Sequence, residues 1–101
     1  MIVIGITFKD KKEAKKIISV LIESKLIACA NIFPIESMFY WNNKVELKKE
    51  IFAILKTKKT NYNEIKKIVK KLHSYSVPLI ESWNIDNINK DYKKWLNEVL
   101  K

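Results

Sequence analysis

Ser37-Met38-Phe39-Tyr40-Trp41-Asn42-Asn43-Lys44-Val45-Glu46-Leu47 is the stretch whose reading decides the fold. Two apolar, aromatic-rich runs flank a pair of asparagines, and asparagine accepts a positive φ more readily than most residues. The pair therefore predicts a two-residue hairpin turn. Working back from the turn, Leu26-Ile27-Ala28-Cys29-Ala30-Asn31-Ile32-Phe33 reads as a buried strand. Pro34 has no N–H to give a ladder, so a bend or bulge is expected there, with pairing resumed from Ser37 to Trp41. Working forward, the return strand runs from about Lys44 to Thr57 and ends in the apolar Ile51-Phe52-Ala53-Ile54-Leu55. Such a hairpin is long for 101 residues, and its tip should project beyond a small core.

The flanking segments complete the pattern. In Ile2-Val3-Ile4-Gly5-Ile6-Thr7-Phe8 the residues Ile2, Ile4, Ile6 and Phe8 share one face, which predicts a strand. Asp10, with Glu13 three positions on, has the form of a capping box. Ala14, Ile17, Ile18, Leu21 and Ile22 then follow at helical spacing, with Lys11, Lys12, Lys15 and Lys16 turned outward. A second helix is expected from about Asn61, with Glu64 again three residues later, and its stripe is Ile65, Ile68, Val69 and Leu72. Residues 77–85 read as the last strand, with Pro78 near its start, and Asn89 should cap a short third helix carrying Tyr92, Trp95, Leu96 and Val99. No linker or repeat interrupts residues 1–101, so one domain is expected. The order β-α-β-β-α-β plus a terminal helix predicts an α+β, ferredoxin-like sandwich with a C-terminal helix and a long hairpin between its second and third strands. Its two helices cover one sheet face. The strands are apolar on much of both sides, so the other face calls for a second subunit.

Composition narrows the function. The formal charge is +9, yet all 20 basic residues are lysine. Readers of nucleic-acid bases depend on the guanidinium fork, which lysine cannot reproduce, so no nucleic-acid partner is expected. The lysines are spread over helix faces and turns and read as solvated surface. No apolar run reaches the roughly 20 residues of a membrane span, and residues 1–8 do not resemble a signal sequence, so no membrane association and a cytoplasmic location are expected. The single cysteine, Cys29, excludes an internal disulfide and any cysteine-rich zinc site. It reads as a small buried hydrophobe. Trp41, Trp83 and Trp95 offer large buried surfaces, with Trp41 beside Tyr40 suited to a subunit interface and Trp95 with Tyr92 an anchor of core or interface.

His73, the only histidine, falls in Leu72-His73-Ser74-Tyr75-Ser76-Val77-Pro78, where the helical pattern gives way to a strand. Two roles are open to it: a helix-end group packed on Tyr75, or a ligand-binding imidazole. Lys56-Thr57 either closes a strand or faces an anion beside a helix start. Gly5 is the sole glycine, so no phosphate loop exists. No nucleophile–base pair or paired-carboxylate motif stands out, and the absence of arginine argues against an acylphosphatase-like phosphate clamp. An enzyme is not expected.

Leu26-Ile27-Ala28-Cys29-Ala30-Asn31-Ile32, Pro34, Ser37, Tyr40-Trp41, Lys56-Thr57, His73-Ser74-Tyr75 with Pro78, and Tyr92 with Trp95 occur in this order along the whole chain. Together they resemble the CutA family of divalent-cation tolerance proteins. The resemblance implies a tight homotrimer related in architecture to PII-like signalling proteins. It also implies an association with copper, Cu(II), or another divalent cation, with no organic cofactor. The family's copper binding has been linked to the histidine matched by His73, a first-strand cysteine and a glutamate after the proline. The last two positions are Ile6 and Leu79 here. Glu81, two residues beyond Leu79 and on the same strand face by alternation, is the carboxylate expected to partner His73. The function so implied is a trimeric protein of copper tolerance or response, with a metal or small ligand held in a cleft between subunits. The alternative is a trimeric scaffold or signalling protein with incidental metal binding.

Overall fold

The computed structural model describes residues 1–101. The chain forms β1 (Ile2–Phe8), α1 (Lys11–Glu23), β2 (Cys29–Trp41), β3 (Lys44–Thr57), α2 (Tyr62–Leu72), β4 (Ile80–Asn84) and α3 (Lys90–Val99), with a 3-10 turn at Lys59–Asn61. One antiparallel sheet runs in the order β2-β3-β1-β4. This is the ferredoxin-like α+β fold with its C-terminal helix and long hairpin.

Alternation along the strands separates the two sheet faces. Ile2, Ile4, Ile6 and Phe8 of β1 join Ile51, Ala53 and Leu55 of β3 under the helices, and all seven are buried. Ala14, Ile17, Ile18 and Leu21 of α1, with Ile65 and Val69 of α2, close over them. Burial of each large aliphatic side chain contributes about 1.5–3 kcal/mol. Val3, Gly5 and Thr7 point to the opposite face, registered with Lys56, Ile54 and Phe52 on β3. Trp83 and Glu81 of β4 and Asn31 and Phe33 of β2 share that face. No helix covers it.

Asn42 and Asn43 hold φ of 50° and 63°, the left-handed pair that a two-residue hairpin turn requires. Pro34 does not break the strand. β2 runs unbroken through it, paired with Ile51, because β2 is an edge strand on which a missing N–H costs no ladder partner. Leu26 and Ile27 are buried but precede the strand, which starts at Cys29. Asp10 caps α1 through its carboxylate, which accepts from the Glu13 amide at 2.8 Å. Glu13 does not complete the box, because its side chain turns to Ser74. Asn61 stands at the N-cap position of α2 but makes no side-chain capping bond, since its buried amide donates to the Leu26 carbonyl at 3.2 Å. The last strand is shorter than the expected span of residues 77–85, and Val77, Pro78 and Leu79 form its approach.

Candidate functional site

His73 ends α2, and its amide donates to the Val69 carbonyl at 2.8 Å. Its ring stacks on Phe8, with centroids 5.3 Å apart, and tilts against Tyr75 at 4.9 Å. Nε2 lies 2.8 Å from the Thr7 carbonyl oxygen, which can only accept, so Nε2 carries the proton. Nδ1 accepts from the Tyr75 amide at 3.0 Å. Both ring nitrogens are thus engaged with backbone, and the imidazole pins the loop after α2 to the end of β1. Glu13 of α1 lies 3.4 Å from Nδ1 and accepts from the Ser74 amide at 3.1 Å. Burial pushes the Glu13 carboxyl up, but the Ser74 hydrogen bonds, with the Lys9 charge, outweigh it and hold the group below its ordinary value of 4.5.

Glu81 lies elsewhere. It registers with Gly5 on the open sheet face, and one carboxylate oxygen sits 3.2 Å from the point a Cβ on Gly5 would occupy. His73, stacked on the core-facing Phe8, is on the helix side. One chain therefore does not bring His73 and Glu81 together. Ile6 is fully buried beneath the helices, and no group of three His, Cys, Asp or Glu side chains within the chain could hold a metal ion. Within a single subunit His73 and Glu81 do not form a divalent-cation site.

Beside the His73 loop is an open groove of about 630 Å³, lined by Thr7 of β1, by Phe39, Trp41, Leu47, Lys48 and Glu50 of the hairpin, and by Tyr75, Val77 and Leu79. Its volume lies in the range of small-molecule sites. Glu50 is buried at its base, and the Tyr75 hydroxyl donates to its carboxylate at 2.6 Å. Burial first, then this bond and the Glu50 charge, raises the Tyr75 phenol well above its ordinary range. The Lys48 ammonium stands 4.5 Å from the centre of the Tyr75 ring, within cation–π distance. The groove offers an aromatic wall, the carboxylates of Glu46 and Glu50, the hydroxyls of Ser74 and Ser76, and an ammonium.

The Glu50–Tyr75 pair escaped sequence reasoning, although a glutamate at the head of the apolar run 51–55 is a usable signal. Cys29 is half-buried, with Sγ 3.1 Å from the Tyr92 hydroxyl. That contact, then burial, raises the Tyr92 phenol. Thr57 is fully buried and donates to the Leu26 carbonyl at 2.6 Å, so it closes the strand and faces no anion.

The exposed apolar surface is concentrated on the open face and the hairpin. Trp41, Trp83 and Trp95 are 49%, 45% and 41% exposed, so none is buried within its own chain as a core residue would be. Met38, Tyr40, Val45 and Leu47 are more exposed still.

Comparison with known proteins gives a consistent result. The family model described as CutA1 divalent ion tolerance protein matches residues 2–99. The divalent-cation tolerance protein CutA of Pyrococcus horikoshii is 42% identical over 101 residues, covering 100% of this chain and 99% of its own. The crystal structure of CutA1 from the same organism superposes with a TM-score of 0.96 at 40% identity, over 100% of this chain and 99% of that one. The periplasmic divalent cation tolerance protein CutA of Archaeoglobus fulgidus gives a TM-score of 0.97 at 38% identity, with all of both chains covered. This chain belongs to the CutA1 divalent ion tolerance family.

Proposed function

We propose that this protein is a homotrimer that serves divalent-cation tolerance or response by binding a cation or small ligand in a cleft between subunits. The observation that carries the reading is the unpartnered apolar surface. The sheet face bearing Phe33, Phe52, Ile54 and Trp83 has neither α1 nor α2 over it, and the aromatic hairpin stands beside the groove. Patches of that kind mark subunit contacts. A neighbour seated there encloses the groove and converts a shallow recess into a binding cleft. The role is binding and not catalysis, in keeping with the His73 nitrogens being held by backbone. A cytoplasmic compartment suits the single free thiol.

For Cu(II), the ligands proposed are His73 and Glu81, contributed by different subunits. Coordination would use Nδ1, the nitrogen free of a proton, and would release the Tyr75 amide from it. The engaged state of the imidazole also gives weight to the second reading, a trimeric scaffold or signalling protein in which metal binding is incidental. Equilibrium titration of the tag-free protein with Cu(II) separates the two. The cation reading expects a defined stoichiometry that is lost in His73→Ala and weakened in Glu81→Gln, with the oligomer intact and Cys29→Ser unchanged. Stoichiometric binding that persists in His73→Ala removes His73 as a ligand. No binding by the parent protein leaves the scaffold reading.

A further inference from the structure

The two helices that cover the sheet, together with the residues flanking them, hold almost the entire charge of the molecule. Twelve of the twenty lysines and four of the eleven acidic residues fall in residues 9–25 and 58–71, which therefore carry +8 of the chain's +9. α1 and α2 touch and pack on the same sheet face, so these charges form one surface.

The arrangement within that surface is unfavourable for the isolated chain. Lys11 and Lys15, Lys12 and Lys16, Lys66 and Lys70, and Lys67 and Lys71 are four like-charge pairs at i, i+4, each destabilising to its helix. The acidic residues do little to relieve them. Glu13 pairs with Lys9, Glu64 with Lys101, and none of these eight lysines has an ion-pair partner. A surface of one sign at this density attracts multivalent anions.

We infer that the α1–α2 face is a docking surface for a linear phosphate polymer, specifically inorganic polyphosphate. Lysine ammoniums are compact point charges that suit phosphate oxygens without reading any other group. Neither guanidinium nor a free aromatic ring is present on this face to engage a base. Tyr62, the one aromatic of α2, donates its hydroxyl to the Ile80 carbonyl and has the Lys66 ammonium over its ring. A bilayer fits less well, because a surface helix inserts its apolar stripe into lipid. Here Ala14, Ile17, Ile18, Leu21, Ile65 and Val69 are already consumed by the core. The ligand that remains is one whose only handle is closely spaced phosphate.

The test titrates the full chain with sodium polyphosphate of defined chain length at two salt concentrations. Binding should weaken steeply at the higher salt, as phosphates release their counterions. The triple variant Lys11→Glu, Lys12→Glu, Lys67→Glu should lose about tenfold or more in affinity. It should melt no lower than the parent, since each new glutamate precedes a lysine at i+4. The control Lys90→Glu, Lys93→Glu, Lys94→Glu on α3 makes the same change in net charge and should stay within about twofold of the parent. If the reversal variant fails to fold, neutralisation as Lys11→Gln, Lys12→Gln, Lys67→Gln carries the same comparison, with a loss of about threefold expected. Equal losses in the α1–α2 and α3 variants, or no salt-sensitive binding by the parent, would overturn the inference. Tighter binding to single-stranded DNA of equal phosphate number, or to phosphatidylglycerol vesicles, would overturn it as well.

Discussion

His73 shows how one side chain joins distant parts of the sequence. Its ring connects the Thr7 carbonyl at the end of β1 to the Tyr75 amide, while Phe8 stacks on it. His73→Ala deletes both bonds and leaves a gap against Phe8, so a loss of about 2–4 kcal/mol in unfolding free energy is expected by denaturant titration. That loss falls on the fold, which is why metal binding in this variant must be read together with its oligomeric state. Glu13 gives a pH signature. Its folded-state pKa is depressed, so its contribution is fully present above the unfolded value of 4.5 and disappears as pH falls through the folded value. Glu13→Gln should therefore flatten the acid limb of the stability curve, and an unchanged limb would show that Ser74 and His73 hold no charge there. Tyr75→Phe should cost about 1–3 kcal/mol, because it strands the buried Glu50 carboxylate. The importance of His73 was legible from its place at a helix end. Its partner Thr7 was not, since a backbone carbonyl 66 residues away leaves no mark in residue type.

At the scale of elements the alternation and helical stripes were enough to order the fold, because each reflects a single buried face. The misreadings share a cause. Pro34 suggested a bend from local chemistry, and the edge position of β2, a property of the whole sheet, makes that proline harmless. Asn61 had the form of a helix cap, but the Leu26 carbonyl, brought close by the fold, takes its amide. Local signals gave way wherever a distant partner was available. The Asn42–Asn43 turn carries its own prediction, since both residues adopt positive φ. Asn43→Gly should match or exceed the parent in thermal stability, whereas Asn43→Val should cost about 1–2 kcal/mol by forcing a β-branched residue into the left-handed region. The reverse ranking by calorimetry would mean that the turn is not of this type.

At the scale of the molecule, one chain leaves a large apolar surface uncovered. Gly5 is informative there: a Cβ at that position would meet the Phe52 ring at 2.8 Å and Trp83 at 3.2 Å, so the glycine lets two aromatics close over the open sheet face. Gly5→Ala should disturb that face and loosen association more than it disturbs the core behind it. Trp41→Ala should make melting more dependent on protein concentration, because the lost packing belongs to assembly. Sequence reading assigned Trp41 to a subunit interface and offered Trp83 for burial, and the exposure of both in one subunit is what directs attention to a second. Static light scattering at micromolar concentration tests this most directly. The account predicts a particle of three times the 12.0 kDa chain mass, and a particle of one chain mass would contradict it.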